Sequence, residues 1–347
     1  MGRAHSLREI CHSAPSSWPR GGGLASIEGR LNHLGVGAAP KRSTLAYANA
    51  HRPAALFQDV FGGLLERCRA LCAPHKFRFK NKLMSLDATV IDLCLEMFDW
   101  AKFRRTKGAV KLHLLLDHDG HLPCFGVITE GKVHEIRVAR SLELPPDTIL
   151  AIDRGYLDYL WLDQLDERGV FFVTRLKEGA VFHVEAELSA PKDHILADEM
   201  ICLPGSGKSF KAMRLFRRVV VWDETKQRQI VLLTNHMKLS ARTIAAIYKE
   251  RWQIELFFKA LKANLKIKTF VGTSRNALEI QIWRALIAML VLKYLQLRSR
   301  LKWSLSNLVA LLRLNLFVYR DLWRWLDEPF EPPPELDAIE QTAFGFA

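Results

Sequence analysis

Tyr248-Lys249-Glu250-Arg251-Trp252-Gln253-Ile254-Glu255-Leu256-Phe257-Phe258-Lys259-Ala260-Leu261-Lys262 reads as an amphipathic helix. At about 100° per residue, Tyr248, Arg251, Glu255 and Lys262 project from one face, with Lys259 and Lys266 on the same side. Ile247, Ile254, Phe257, Phe258, Leu261 and Leu265 gather on the other. One carboxylate therefore stands alone in a stripe of cations. On its own such a face is ordinary solvated surface. An isolated acid framed by Arg, Lys and Tyr also suits a site holding a divalent metal beside a phosphate backbone, because the cations neutralise the phosphates while the carboxylate takes the metal.

The rest of the chain favours the second reading. Its 347 residues, 49% of them hydrophobic, bury a substantial core in one large domain or two smaller ones. The net charge is +13, and Ser240 to Lys302 carries thirteen Lys or Arg against three Glu, so the surplus falls on the motif-bearing segment. A concentrated basic surface points to a polyanion, nucleic acid above all. A membrane surface is the rival, but no lipidation signal is present. The apolar run Ala285 to Leu292, bracketed by Arg284 and Lys293, is too short to span a bilayer and reads as a buried helix. Cys11, Cys68, Cys72, Cys94, Cys124 and Cys202 show no paired CxxC or matching histidine spacing, so zinc is not indicated. Met1 to Ile10 has no apolar core of a secretion signal, which implies a cytoplasmic protein with reduced thiols.

Pattern divides the chain. Residues 1–74 are helix-prone, interrupted by Pro15, Pro19 and Gly21-Gly22-Gly23. From there to about 326 the signals are those of a mixed α/β sheet flanked by helices. Strands are expected at Leu83 to Ile91, at Val110 to Leu116 with Cys124 to Ile128 joined through Asp119-Gly120, and at Thr148 to Asp153. Helices are expected at Val133 to Ser141 and Leu157 to Glu167. A β-rich insertion follows at about 175–236, including Leu215 to Trp222 and Gln229 to Thr234, before a helix beginning near Ser240. Residues 327–347, acidic and Pro-rich, read as an extended tail.

Two apolar runs stop on an aspartate. Asp87 follows Leu83-Met84-Ser85-Leu86, and Asp153 closes Ile149-Leu150-Ala151-Ile152 before Arg154-Gly155-Tyr156. In open α/β sheets ligands bind outside the strand ends, where an acid faces solvent on a rigid backbone. One such Asp is usually a turn residue or a cap; two of them together with Glu255 weaken that reading. Three converging carboxylates repel unless cations intervene, and a pair of Mg²⁺ ions is the usual solution.

Other motifs resolve into structure. Gly205-Ser206-Gly207-Lys208-Ser209 lacks the first glycine and the strand-to-helix context of a phosphate loop, and reads as a hairpin turn. Asp117-His118-Asp119-Gly120-His121 looks like a metal cluster, but Asp-Gly between alternating strands is the stronger signal. Trp222 ends a strand and reads as a core aromatic.

The order Asp87, Asp153-Arg154-Gly155-Tyr156, then Tyr248-x2-Arg251-x3-Glu255-x6-Lys262 resembles the DDE transposases of the bacterial insertion-sequence-four family. The resemblance covers roughly Lys41 to Pro334, including Pro40-Lys41-Arg42-Ser43-Thr44-Leu45 and Ala48-Asn49-Ala50-His51-Arg52-Pro53. It implies an RNase H-like core with a β insertion between the second Asp and the Glu. Asp87, Asp153 and Glu255 would be the catalytic metal ligands for Mg²⁺ or Mn²⁺, two ions in all. Tyr248, Arg251, Lys259 and Lys262 would hold DNA phosphates, with Arg154 supporting the site. The partners implied are double-stranded DNA, as transposon terminal repeats and target, and a second copy of the chain in the DNA complex. The setting implied is the bacterial cytoplasm, at the nucleoid. The chain departs from the family at its start, where Leu7-Arg8-Glu9-Ile10-Cys11 comes early and His12 to Gly22 reads as inserted, which bears on repeat recognition rather than chemistry. Two other functions compete: a non-catalytic DNA-binding inhibitor of transposition, and a tyrosine recombinase built on His134-x-x-Arg137 and Tyr156, which would need no metal.

Overall fold

Ten strands carry the described part of the molecule: β1 (Leu83–Leu93), β2 (Lys102–Arg104), β3 (Lys107–Asp117), β4 (Leu122–Glu130), β5 (Ile149–Ile152), β6 (Phe171–Arg175), β7 (His183–Ser189), β8 (Ile195–Leu203), β9 (Arg214–Asp223) and β10 (Arg228–Thr234). They are seen in a computed structural model that describes residues 38, 40–93, 98–104, 107–203, 214–264, 272–315 and 320–330. One sheet holds them in the order β2-β3-β1-β5-β6-β10-β9-β8-β7, with β4 also on β3. β4, β3 and β1 run antiparallel and β1, β5 and β6 parallel. That arrangement is the expected RNase H-like one. The strands of the insertion do not stand apart, because β10 pairs with β6 and continues the same sheet.

Helices cover both faces: α1 (Arg42–His51), α2 (Ala54–Arg69), α3 (Glu135–Ala139), α4 (Tyr159–Glu167), α5 (Ala241–Glu250), α6 (Trp252–Asn264), α7 (Arg275–Arg298), α8 (Leu305–Asn315) and α9 (Leu322–Asp327). The alternation along β1 sorts them. Met84 and Leu86 pack with Ala139, Trp161 and Leu165 of α3 and α4. Leu83 packs with Ile244 and Ile247 of α5, and Ile91 with Phe257 and Leu261 of α6 and Leu286 of α7. Ser85, Asp87 and Thr89, in phase with Leu83 and Ile91, therefore face α5 and α6. Ala285, Leu286, Met289 and Leu290 of α7 are buried, as their apolar run implied.

Several boundaries depart from expectation. β1 does not stop at Asp87, because β3 pairs along its whole length, Leu114 opposite Asp87. What does stop is the parallel pairing with β5, whose last pair is Leu86 with Ile152. The helix expected from Leu157 starts at Tyr159, since the Asp158 carboxylate accepts the Trp161 backbone N–H and caps it. The expected single helix through Tyr248 and Lys262 is two, divided at Arg251, whose N–H is shared between the Ile247 and Tyr248 carbonyls at 3.3 Å each. The expected tail does not begin at Asp327, which closes α9 and accepts the Arg300 backbone N–H at 2.7 Å. Leu265, Lys266, Cys94, Gly205 to Ser209, Leu7 to Gly22 and the tail beyond Phe330 lie outside the described residues.

His113 of β3 is fully buried with Nε2 on the Thr129 hydroxyl, and burial pushes its pKa down to about 4. A base whose folded pKa lies below its unfolded value leaves more protons on the unfolded chain, so stability is lost as pH falls from about 6.5 to about 4. His113→Gln is expected to shrink the stability difference between pH 7.5 and pH 5 by roughly 2 kcal/mol, read by chemical denaturation. Comparison at both pH values is needed because Asp87, raised to about 6, acts in the opposite direction.

Candidate active site

Asp87 and Asp153 come together through register. Leu86 and Ile152 are paired on adjacent parallel strands, so the residue after each lies side by side, roughly 5 Å apart along the hydrogen-bonding direction. Each shares the face of alternate neighbours that pack on α5, Leu83 in β1 and Ile149 and Ala151 in β5. Glu255 comes from the first turn of α6. The apolar side of α6, with Ile254, Phe257, Phe258 and Leu261, is buried against β1, β3 and α7, and half-buried Glu255 beside it reaches Arg251 next to Asp87.

Arg251 lies among the three acids. Its guanidinium donates to Glu255 Oε1 at 2.8 Å and stands 3.7 Å from Asp87 Oδ2. Its side chain is 11% exposed. Asp153 Oδ1 accepts from Arg175 at 3.2 Å and from the Tyr248 hydroxyl at 3.5 Å. The breadth of a guanidinium spaces these acids: among the described residues, the only group of three ligand atoms within 4.8 Å of one another is His118, His121 and Glu250.

The two aspartates differ electrically. Burial pushes Asp87 up to about 6; the Ala88 backbone N–H and Arg251 pull it down, while Asp153 and Glu255 push it further up. Burial also acts upward on Asp153, but the Arg154 backbone N–H, Arg251 and Arg175 outweigh it and leave its pKa below the ordinary carboxylate range. Such a mixture of crowded acids, one reluctant to ionise, gains stability from added positive charge. The donor set, three carboxylates from the middle of β1, the end of β5 and the first turn of α6, is of the hard oxygen kind that suits a divalent cation.

Outside the acids lies an open groove of about 700 Å³ lined by Asp87, Thr89, Glu255, Phe258, Lys259 and Lys262. Lys259 is exposed in it, and Lys262 Nζ donates to the Val90 carbonyl at 3.0 Å. Asp153, with Arg175 and Tyr248, lies off the groove lining. The structure thus brings together Asp87, Asp153, Glu255, Tyr248 and Arg251, and places Lys259 and Lys262 beside them. Arg154 does not join them: it pairs with Glu178, a residue 93% exposed, at 2.9 Å. Tyr248 and Arg251, expected to hold DNA phosphates, contact the carboxylates, the Tyr248 hydroxyl at Asp153 and the Arg251 guanidinium at Glu255.

Sequence reasoning misses Arg175, although its signal is present: it ends the apolar strand Phe171-Phe172-Val173-Thr174 as Asp153 ends β5. The tyrosine recombinase reading is overturned by position. Tyr156 is 2% exposed and packed among Leu150, Trp161 and Phe172, and burial drives its phenol pKa far upward, which disables it as a nucleophile. Cys68 and Cys202 are buried free thiols as expected, whereas Cys72 and Cys124 are half-buried. Trp222, expected in the core, is half-buried at the end of β9 because that end meets solvent at the turn into β10. No described helix is long and apolar enough to cross a membrane.

Known proteins supply the family context. The family model described as Transposase DDE domain matches residues 78–291. A putative transposase of Sinorhizobium fredii is 32% identical over 82% of this chain and 79% of its own length. The probable transposase for insertion sequence element IS5377 of Geobacillus stearothermophilus is 27% identical over 76% of this chain and 70% of its own. The putative transposase for insertion sequence element IS4SA of Synechocystis is 26% identical over 73% of this chain and 71% of its own. Among solved structures, the piggyBac transposase synaptic complex with hairpin DNA overlaps at a TM-score of 0.39 and 10% identity, over 74% of this chain and 55% of that one.

Proposed function

The chain belongs to the transposase DDE-domain family, whose members cleave DNA and transfer strands, and from that premise we propose that Asp87, Asp153 and Glu255 are its catalytic carboxylates. The observation that carries this is the register that sets Asp87 beside Asp153, with Glu255 linked to Asp87 through Arg251, whose charge also acts on Asp153. The family generally uses a divalent metal; here two Mg²⁺ or Mn²⁺ ions are proposed. When bound, they supply activation of the attacking water or 3′-hydroxyl and neutralise the leaving oxygen of an in-line displacement. The chain's own residues do the rest. Asp87 and Asp153 offer oxygens from rigid strands, and Glu255 closes the set from α6. Tyr248 and Arg175 orient Asp153, and the Arg154 backbone N–H, Arg251 and Arg175 hold its pKa down against burial. Arg251 balances the acids and holds Glu255 toward Asp87.

DNA enters along the groove, where Lys259 and Lys262 meet its phosphates. In the reaction proposed, a phosphodiester at the transposon end is hydrolysed and the freed 3′-hydroxyl attacks target DNA. Two copies of the chain are proposed to act together on the paired ends, in the bacterial cytoplasm. DNA carrying the flanking terminal repeat should be nicked with Mg²⁺ and left intact with EDTA; equal nicking in both would sink the proposal.

The basic rim makes a separate prediction. Lys259→Ala or Lys262→Ala is expected to weaken DNA binding and to lower the slope of log affinity against log salt by about one, since each removes one counterion-releasing phosphate contact. Fluorescence anisotropy over a salt series measures it. An unchanged slope would return the groove to plain solvated surface.

A further inference from the structure

His118 and His121 lie in the turn between β3 and β4, and Glu250 is the last residue of α5. Glu250 is far in sequence from the two histidines, yet each of the three residues brings one ligand atom to within 4.8 Å of the other two. His121 Nε2 lies 3.5 Å from Glu250 Oε1. His118 is 2% exposed; its Nε2 is 2.7 Å from the Ser85 hydroxyl, and its Nδ1 is buried with no hydrogen-bond partner. A buried nitrogen without a partner costs free energy, and here it belongs to a ring beside a second imidazole and a carboxylate.

We propose that His118, His121 and Glu250 bind one Zn²⁺ ion that clamps the β3–β4 turn to the end of α5. Two imidazoles and one carboxylate are a borderline N/O set that suits Zn²⁺; Mg²⁺ asks for oxygens. Around tetrahedral zinc, ligand atoms stand about 3.3 Å apart, close to the observed His121–Glu250 separation. The other two pairs lie within 4.8 Å, His121 has room to adjust because its side chain is 39% exposed, and water takes the fourth position. His118 would bind through Nδ1 while its Nε2–H donates to Ser85, the outer hydrogen bond that zinc-bound histidines usually make. Lys76 pairs with Glu250 Oε2 and leaves Oε1 to the ion. Lys293, the other nearby cation, is pushed toward its neutral form by burial.

This ion is distinct from those of the carboxylate site. Ser85, which holds His118, precedes Asp87 by two residues on the same face of β1, roughly 7 Å along the strand. Glu250 directly precedes Arg251. Fixing Glu250 therefore fixes the helix junction from which Arg251 reaches Asp87 and Glu255. The absence of a cysteine pair says nothing against such a site, because no cysteine takes part.

The full chain, stripped of metal and refilled with ZnCl₂ against a chromophoric chelator in excess Mg²⁺, is expected to retain one Zn²⁺ per chain. CoCl₂ in its place should give the intense visible absorption of a four-coordinate ion. His121→Asn keeps a residue suited to the positive φ of 53° at that position while removing the imidazole. It should weaken Zn²⁺ binding by about 100-fold or more and abolish the rise in melting temperature that Zn²⁺ gives the parent. Asp87→Asn should bind Zn²⁺ like the parent. Parent-like affinity in His121→Asn, or loss of the ion in Asp87→Asn, would overturn the proposal. Circular dichroism of each variant excludes misfolding as the cause, and no readout depends on DNA cleavage.

Discussion

Glu255→Gln is expected to reduce Mg²⁺-dependent strand cleavage by roughly 10³-fold, since losing about 4 kcal/mol of transition-state stabilisation amounts to three tenfold steps. The amide keeps the shape and one acceptor oxygen but removes the charge that offsets a divalent ion. Folding should survive, because α6 is held by Ile254, Phe257, Phe258 and Leu261 on its other side, and the exchange leaves them in place. Affinity for DNA should survive too, as it rests on Lys259 and Lys262. Nicking and gel-shift assays on one preparation separate these effects. A variant that cleaves at the parent's rate would show that Glu255 is surface, and one that neither cleaves nor binds would show that it serves the fold.

Asp198→Ala is expected to cost about 3–5 kcal/mol of stability, the usual result of leaving one partner of a buried ion pair behind. Asp198 and Arg217 are 3% and 4% exposed, joined by two hydrogen bonds of 2.7 and 2.8 Å, and Ser189 donates a third to the same carboxylate at 2.7 Å. Arg217 also donates to the carbonyls of His236, Met237 and Leu239, the residues that lead into the Ser240 cap of α5. Removing Asp198 strands a guanidinium in the interior. Adding Arg217→Met to Asp198→Ala should recover much of the loss, but not all, because those three carbonyls then lose a donor. Denaturant titration of the single and double variants measures both. A loss below about 1 kcal/mol in the single variant would mean that water reaches the pair.

The acids were legible for a local reason: an apolar run long enough to be a buried strand ended, at Asp87 and at Asp153, on a charge. The helix face was equally legible, since Tyr248, Arg251, Glu255 and Lys262 share a period. Period alone could not show that Arg251 breaks the helix, nor that its guanidinium reaches Asp87 and Glu255; both depend on the sheet opposite. Arg175 was hidden because strand-ending arginines are common, and it becomes informative only when β6 is known to lie next to β5. The turn at Asp117 to His121 is a hairpin, as its Asp-Gly signal implied. Its two histidines gained a third neighbour, Glu250, only through the packing of α5 on β1. Arg154 failed the other way: adjacency to Asp153 in sequence suggested a shared site, but consecutive residues after a strand diverge.

Almost half the chain separates Asp87 from Glu255, a consequence of the insertion strands β7 to β10 lying between β6 and α5. On the ribosome, β1 and β5 emerge with their acids long before α6 exists. A nascent or prematurely ended product that lacks α6 therefore carries two of the three acids, and with Glu255 in its proposed role it is expected not to cut DNA. The same separation makes the contacts of α6 with β1 non-local, each closing a long loop, which should make folding slow relative to helical proteins of this size.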